Sequence, residues 1–124
     1  MAKRVLVVDD HPPTVTLIQS ALETAGYSVT SAGNGAECLL AVHKERPDLV
    51  ILDVIMPVLD GFHTLRVLRE TPETRDLPVL ILSARKEDKD ILEGWQGGAH
   101  LYLTKPFEIR DLVAAVERMI GGAG

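Results

Sequence analysis

The sequence has a single cysteine, Cys38, and therefore cannot form an internal disulfide bond, as is typical of proteins in a reducing compartment. It also lacks an apolar run near the length of about 20 residues that a membrane-spanning helix requires. The N-terminal stretch MAKRVLVVDD reaches two aspartates too early for the apolar core of a signal peptide. We therefore expect a cytoplasmic protein with no membrane partner.

Basic charge and aromatic side chains are both scarce. The 13 Lys and Arg residues are outnumbered by 18 Asp and Glu residues, for a formal net charge of -5. A surface that binds nucleic acid or anionic lipid needs the opposite balance. One Trp, two Tyr and two Phe also provide no stacking platform for unpaired bases. Direct binding of nucleic acid is therefore not expected.

What the sequence does contain is an alternation of short β-branched runs with helical patterns, within 124 residues, a common length for one domain. Three of the runs are apolar at every position, which is typical of parallel strands covered on both faces. We expect a single domain over residues 1–121 and a flexible tail, or the start of a linker, over residues 122–124. The predicted strands cover residues 4–8, 28–31, 49–52, 79–82 and 101–104.

Five β-then-α units predict an α/β doubly wound fold, (βα)5, with a five-stranded parallel sheet of flavodoxin-like order 2-1-3-4-5. The fifth helix has the clearest apolar stripe, and the fourth is weakened by Gly94. In the fourth helix we take Ile91, Leu92 and Trp95 as the apolar positions that indicate it. In a sheet of this order, ligands bind beyond the carboxyl ends of the strands.

Polar residues follow the apolar runs at the predicted strand ends. The first strand is followed by Asp9 and Asp10, the third by Asp53, the fourth by Ser83 and the fifth by Lys105. An acidic pair by itself is also common in turns and helix caps. Because parallel strands deliver their carboxyl ends to one edge, we expect all four strand ends to converge on one site.

Such a site would concentrate negative charge. Two carboxylates about 5 Å apart repel by roughly 3 kcal/mol at an effective dielectric constant near 20. Clustered aspartates should therefore raise one another's pKa unless a cation is present. Ligands that are all oxygen favour Mg²⁺ over zinc. An aspartate beside Mg²⁺ and a lysine is also a suitable nucleophile for phosphoryl transfer.

Four blocks in this order, VLVVDD, LVILDVIMPVLDG, LPVLILSA and LYLTKPF, resemble the response-regulator receiver domains of two-component signalling, of the chemotaxis-regulator type. The resemblance covers essentially the whole chain. It implies that Asp53 accepts a phosphoryl group from a histidine kinase or a phosphotransfer protein. It further implies that Asp10 binds Mg²⁺ directly and Asp9 binds it largely through water. The backbone carbonyl of Ile55 would supply another ligand.

The same resemblance implies roles for the later blocks. Ser83 would hydrogen-bond the phosphoryl group, Lys105 would pair with it, and the peptide bond before Pro106 would be cis. Tyr102 stands where the family keeps a switch aromatic, which would turn inward as the fourth loop follows the phosphate. The face formed by the fourth helix, fifth strand and fifth helix would then change for an unknown downstream protein.

Two positions are expected to tune the lifetime of the phosphorylated state. In the family that the sequence resembles, the residues two beyond the phosphoacceptor and the hydroxyl residue flank the phosphate; here they are Ile55 and Arg85. A bulky Ile and a long Arg could obstruct the attacking water. We therefore predict slow self-dephosphorylation.

Three functions are compared. The first is a stand-alone receiver, a switch that assists its own phosphorylation and dephosphorylation without being an enzyme. The second is the N-terminal regulatory domain of a longer DNA-binding or enzymatic response regulator. The third is an aspartate-nucleophile phosphatase, a class of hydrolase that carries a D-x-D motif. It is disfavoured because Ile55 stands where the second aspartate would act as acid and base.

Overall fold

Strands and helices alternate along the chain in the computed structural model, which describes residues 2–56 and 60–122. The strands are β1 (Arg4–Val8), β2 (Ser28–Ala32), β3 (Leu49–Leu52), β4 (Val79–Ser83) and β5 (Leu101–Thr104). The helices are α1 (Pro12–Thr24), α2 (Gly35–Lys44), α3 (Gly61–Glu70), α4 (Asp88–Gln96) and α5 (Ile109–Ile120), with a short 3₁₀ turn at Pro72–Thr74.

The five strands form one sheet of order β2-β1-β3-β4-β5, and every neighbouring pair is parallel. The predicted fold class and strand order are therefore confirmed. β2 and β4 each extend one residue further than predicted, to Ala32 and Ser83. The second extension makes Ser83 the last residue of its strand, paired with Thr104 of β5.

Two apolar layers cover the sheet, one on each face. α1 and α5 pack on one face through Ile18, Leu22, Leu112 and Val116. On the other face, α2 and α3 supply Cys38, Val42, Leu65 and Leu68, and the segment after α4 supplies Ala99. All residues of β3 and β4 are buried, because helices cover both sides of these central strands. The apolar runs in the sequence reflect this double coverage.

Helix α4 departs from the sequence-based expectation. Leu92 and Trp95, two of the residues that indicated the helix, have 55% and 49% of their surfaces exposed. The residues of α4 that are buried are Asp90 and Gly94. The predicted fourth helix is present, but its buried side is formed by Asp90 and Gly94, and Leu92 and Trp95 lie on its exposed side.

Helix length bears on the expectation about membranes. The longest helix within the described residues is α1, with 13 residues. A membrane-spanning helix needs about 20 predominantly apolar residues. No helix within residues 2–56 and 60–122 is both long and apolar enough to cross a bilayer.

Candidate functional site

Three aspartates meet at the carboxyl end of the sheet. Hydrogen bonds continue the strand register past the last paired residues: the Asp9 N–H donates to the Ala32 carbonyl over 3.1 Å, and the Asp53 N–H donates to the Val8 carbonyl over 2.9 Å. One carboxylate oxygen from each of Asp9, Asp10 and Asp53 lies within 4.8 Å of the other two. The predicted convergence of the first and third strand ends is present.

The three carboxylates differ in their surroundings. Asp9 and Asp53 are only 5% and 6% exposed, whereas Asp10 faces solvent. Asp9 Oδ1 accepts a 2.9 Å hydrogen bond from the His11 N–H. Asp53 Oδ1 accepts a 3.2 Å hydrogen bond from the Ile55 N–H. In both cases the backbone N–H two residues later thus holds one oxygen of the buried carboxylate. The exposed Asp10 lies at the mouth of the site.

Lys105 brings a positive charge to these aspartates. Its Nζ lies 2.9 Å from Asp9 Oδ2 and 3.6 Å from Asp53 Oδ2, and its backbone N–H donates to the Ser83 carbonyl over 2.8 Å. Burial lowers the pKa of the Lys105 ammonium, but its hydrogen bond to Asp9 and the charges of Asp53 and Asp9 outweigh burial and raise the pKa above its ordinary value. The lysine therefore remains protonated at the site.

The pKa of Asp53 is raised above that of an ordinary aspartate. Burial is the largest cause; the charge of Lys105 opposes it, and the neighbouring charge of Asp9 adds to it. The direction agrees with the expectation from clustered carboxylates. The cause is different, because loss of water around Asp53 contributes more than repulsion between the acids.

Ser83, Arg85 and Tyr102 form a short chain of hydrogen bonds beside the aspartates. Ser83 is completely buried, and its Oγ accepts a 3.1 Å bond from the Arg85 N–H. The Tyr102 hydroxyl donates to the Arg85 carbonyl over 2.6 Å. The Arg85 backbone is thus held at its N–H by Ser83, the candidate phosphate ligand, and at its carbonyl by Tyr102, the candidate switch aromatic.

Gly61 packs directly against the backbone that carries Asp53. A Cβ on Gly61 would lie 2.2 Å from the Asp53 carbonyl oxygen and 2.7 Å from Val54 Cα, so only glycine fits. The Asp60 side chain caps α3 by accepting a 2.9 Å bond from the His63 N–H. An Asp-Gly pair in a sequence favours a turn but does not indicate this contact with the Asp53 backbone. Residues 57–59 lie outside the described part.

The remaining predicted positions lie at the rim of the site. The Ile55 side chain is 51% exposed, and Arg85 is exposed. The Lys105–Pro106 peptide bond is cis. Sequence reasoning missed the contribution of His11, because its contact with Asp9 is made by a backbone N–H that any non-proline residue supplies.

Comparison with protein families gives a match to the response-regulator receiver domain over residues 5–117. This segment contains nearly all of the five strands and five helices, together with every side chain of the site. The chain belongs to the response-regulator receiver domains. Two-component signalling is therefore the setting in which this receiver domain acts, and such domains interact with histidine kinases and downstream effectors rather than acting as classical enzymes.

Two curated relatives illustrate the similarity. The receiver domain is 42% identical to the alkaline phosphatase synthesis transcriptional regulatory protein PhoP of Bacillus subtilis over 120 residues, which are 97% of this chain and 49% of that protein. It is 34% identical to protein PilH of Pseudomonas aeruginosa, across 96% of this chain and 98% of PilH. The chain thus spans about half the length of the PhoP-type relatives and nearly all of PilH.

One solved structure bears on the chemistry. The receiver domain of the sensor histidine kinase PA1611 from Pseudomonas aeruginosa is 31% identical, with a TM-score of 0.89 over 98% of this chain and 100% of that one. Its crystal structure holds a magnesium ion coordinated in the active-site cleft. In that protein the shared fold accommodates the metal that the present aspartates suggest.

Proposed function

We propose that Asp53 is the phosphoacceptor of this receiver domain and takes its phosphoryl group from a histidine kinase or a phosphotransfer protein. The observation that supports this most is the position of the Asp53 carboxylate. It is buried, lies within 4.8 Å of carboxylate oxygens from Asp9 and Asp10, and has Lys105 Nζ at 3.6 Å. A nucleophile with these neighbours has groups on hand to balance the charge of an incoming phosphoryl group.

In the proposed transfer, a carboxylate oxygen of Asp53 forms a bond to phosphorus while the bond from phosphorus to the donor's histidine nitrogen breaks. The donor's other ring nitrogen carries a proton before the transfer, so the histidine leaves as a neutral imidazole. Lys105, which is held by Asp9, would pair with the phosphoryl oxygens. Ser83 would donate its hydroxyl proton to another of those oxygens, because its Oγ accepts the Arg85 N–H and so has its own proton to offer.

We propose Mg²⁺ as the cofactor, with Asp10, Asp9, Asp53 and the Ile55 carbonyl as the groups that hold it. The fit rests on the donor set. Mg²⁺ prefers oxygen ligands, and one carboxylate oxygen from each of the three aspartates lies within 4.8 Å of the other two, so these residues would be able to hold it together. Buried Asp9 is already engaged by Lys105 and His11, which suits contact through water. When bound, the metal would neutralise phosphoryl oxygens.

The proposed output is a change in the face formed by α4, β5 and α5. Tyr102 of β5 bonds the Arg85 carbonyl, and Arg85 bonds Ser83, so a phosphate that pulls Ser83 would bias both the loop and the tyrosine. Leu92 and Trp95 are exposed on α4. These apolar side chains support an unknown downstream protein partner on this face, with no part for direct nucleic-acid or membrane contact.

The proposal includes a receiver domain at residues 1–121 and a flexible tail or linker at 122–124, of which residues 123–124 lie outside the described part. Both a stand-alone receiver and the N-terminal regulatory domain of a longer DNA-binding or enzymatic regulator remain compatible with it. The similarity to PilH supports the first, and that to PhoP the second. A cytoplasmic location is also proposed, since the buried free thiol of Cys38 suits a reducing compartment.

Intact-mass spectrometry tests the phosphoacceptor directly. The purified chain is incubated with acetyl phosphate and Mg²⁺, and we expect a gain of one phosphoryl group that is lost on treatment with hydroxylamine, which cleaves acyl phosphates. Chelating Mg²⁺ with EDTA should abolish this gain in mass. Asp53→Asn, which has nearly the same shape, should not be modified.

A matched control keeps the charge change but moves it away from the site. Asp48→Asn alters an exposed aspartate before β3 and should be phosphorylated like the wild type. Equal modification of the wild type and of Asp53→Asn would refute the proposal. So would an adduct that forms equally well in EDTA.

A further inference from the structure

Gly94 lies in the last turn of α4 and is buried. Glycine inside a helix lowers helix stability relative to alanine, because its backbone is freer in the unfolded chain. Its φ is not in the left-handed region, which among the described glycines is occupied by Gly26, Gly98 and Gly121. The backbone of α4 therefore gives no reason for glycine at this position, and the reason has to be sought in packing.

The Tyr102 ring fills the space that a side chain at position 94 would need. A Cβ on Gly94 would lie 2.9 Å from Tyr102 Cδ2, 3.2 Å from Tyr102 Cε2 and 3.1 Å from Ile81 Cδ1. Carbon atoms pack best at about 3.5–4.0 Å. An alanine would therefore overlap the ring unless the tyrosine or the helix moved.

The Tyr102 ring cannot move freely away from α4, because its hydroxyl group is hydrogen-bonded. Tyr102 donates a 2.6 Å hydrogen bond to the Arg85 carbonyl, and the Arg85 N–H donates to Ser83 Oγ over 3.1 Å. Moving the ring away from α4 strains or breaks the first bond. A continuous series of contacts thus runs from the last turn of α4 to the site, through Gly94, Tyr102, Arg85 and Ser83.

We propose that Gly94 is a positioning residue for Tyr102: by lacking a Cβ, it admits the ring beneath α4, where the tyrosine hydroxyl holds the loop that follows Ser83. The inference deepens the proposed function and rests on it for the link to phosphate. A methyl group at this position shifts the population of Tyr102 away from its bond with Arg85. The residue sets how readily the loop takes the arrangement that offers Ser83 to a phosphoryl group.

A double-mutant cycle measures the packing relation. In the Tyr102→Ala background the ring is absent and only the contact with the end of the Ile81 side chain remains, so Gly94→Ala should raise the folding equilibrium constant by up to about fivefold through helix propensity. In the wild-type background the same change should give no gain or a loss. An equal gain in both backgrounds would show that Gly94 and Tyr102 are independent and would overturn the proposal.

The position of the ring is read by ¹⁹F NMR of protein labelled with 3-fluorotyrosine. The chain has two tyrosines, and Tyr27 packs on the opposite face of the sheet, so it serves as an internal reference. Gly94→Ala should shift the Tyr102 signal and leave that of Tyr27 in place. Gln96→Ala, a change at an exposed position of the same helix, should move neither. An unmoved Tyr102 signal in Gly94→Ala contradicts the proposal.

The link to phosphate is tested with beryllofluoride and Mg²⁺, which together mimic a phosphoryl group on aspartate. Gly94→Ala should bind beryllofluoride several-fold more weakly than the wild type, with Gln96→Ala unchanged. Equal affinity in all three proteins would remove Gly94 as a positioning residue for the site. Phosphorylation of wild-type Asp53 is read separately by mass, so its failure would count against the proposed function and leave the cycle and the ¹⁹F result interpretable.

Discussion

Lys105 Nζ donates a 2.9 Å hydrogen bond to Asp9 Oδ2 across 96 residues of sequence. The lysine side chain is 23% exposed and the aspartate side chain 3% exposed. The bond therefore joins the end of β5 to the end of β1 where little water can replace either partner. Because Lys105 also lies 3.6 Å from Asp53 Oδ2, one ammonium balances two buried carboxylates.

Replacing Lys105 with methionine should therefore destabilise the protein. Lys105→Met leaves Asp9 and Asp53 without their cation, and breaking a buried ion pair on one side costs roughly 3 kcal/mol. We expect the free energy of unfolding in urea, measured in EDTA, to fall by about that amount. Lys89→Met removes a lysine from an exposed pair with Glu87 and should cause no measurable change. Similar values for the two variants would contradict the prediction.

Gly61→Ala should distort the site as well as destabilise the fold. The added Cβ would meet backbone atoms of Asp53 and Val54, which cannot rotate away as a side chain could. We expect a loss of roughly 3 kcal/mol in the free energy of unfolding and a lower rate of acyl-phosphate formation. The control is Gly122→Ala, where no atom lies within 4 Å. A Gly61→Ala protein as stable and as reactive as this control would show that α3 can move without consequence.

His100 should make stability depend on pH. Its Nδ1 accepts a 3.2 Å hydrogen bond from the Val79 N–H at the start of β4, and protonation of that nitrogen would break the bond. Burial is the main reason that the pKa of His100 is lowered; the charge of Arg69 from α3 adds to the effect, and Asp76 before β4 opposes it.

The sign follows from the lowered pKa. Above about pH 6.5 both the folded and unfolded chains hold His100 neutral. As the pH falls below that value, the unfolded chain binds the proton first, so stability decreases until the pKa of the folded state is passed. His100→Asn keeps an acceptor near Val79 but does not titrate. Urea unfolding at pH 8 and pH 5.5 should show a larger loss for the wild type than for His100→Asn; equal losses would count against it.

Ile55→Asn should shorten the lifetime of phosphorylated Asp53. The Ile55 side chain lies half-exposed at the rim, where it can shield the acyl phosphate, and an amide there would instead hydrogen-bond water. We expect several-fold faster loss of the phosphoryl group, followed by intact mass after the donor is removed. Leu40→Asn, at an exposed leucine of α2, should decay at the wild-type rate. Fast and equal decay in the wild type and Ile55→Asn would contradict the prediction of slow self-dephosphorylation.

Much of the site could be predicted because parallel strands impose order on it. Parallel strands bring their carboxyl ends to one edge of the sheet, so Asp9, Asp53 and Lys105, which follow strand ends in the sequence, share that edge in space. The hydrogen bond that the Arg85 N–H donates to Ser83 Oγ was not predictable in this way. It depends on the path of the β4–α4 loop, which no local pattern specifies.

The sequence alone determined the alternation of strands and helices, the kinds of side chain at the strand ends and the chemistry those groups can support, since these follow from periodicity and residue type. Only the tertiary structure decided which face of α4 is buried, why Gly94 and Gly61 admit no side chain, and that burial is the main reason for the raised pKa of Asp53. The reason is that close approach and loss of water depend on neighbours distant in the chain. The spacing of residues along one segment does not indicate which distant residues will contact that segment.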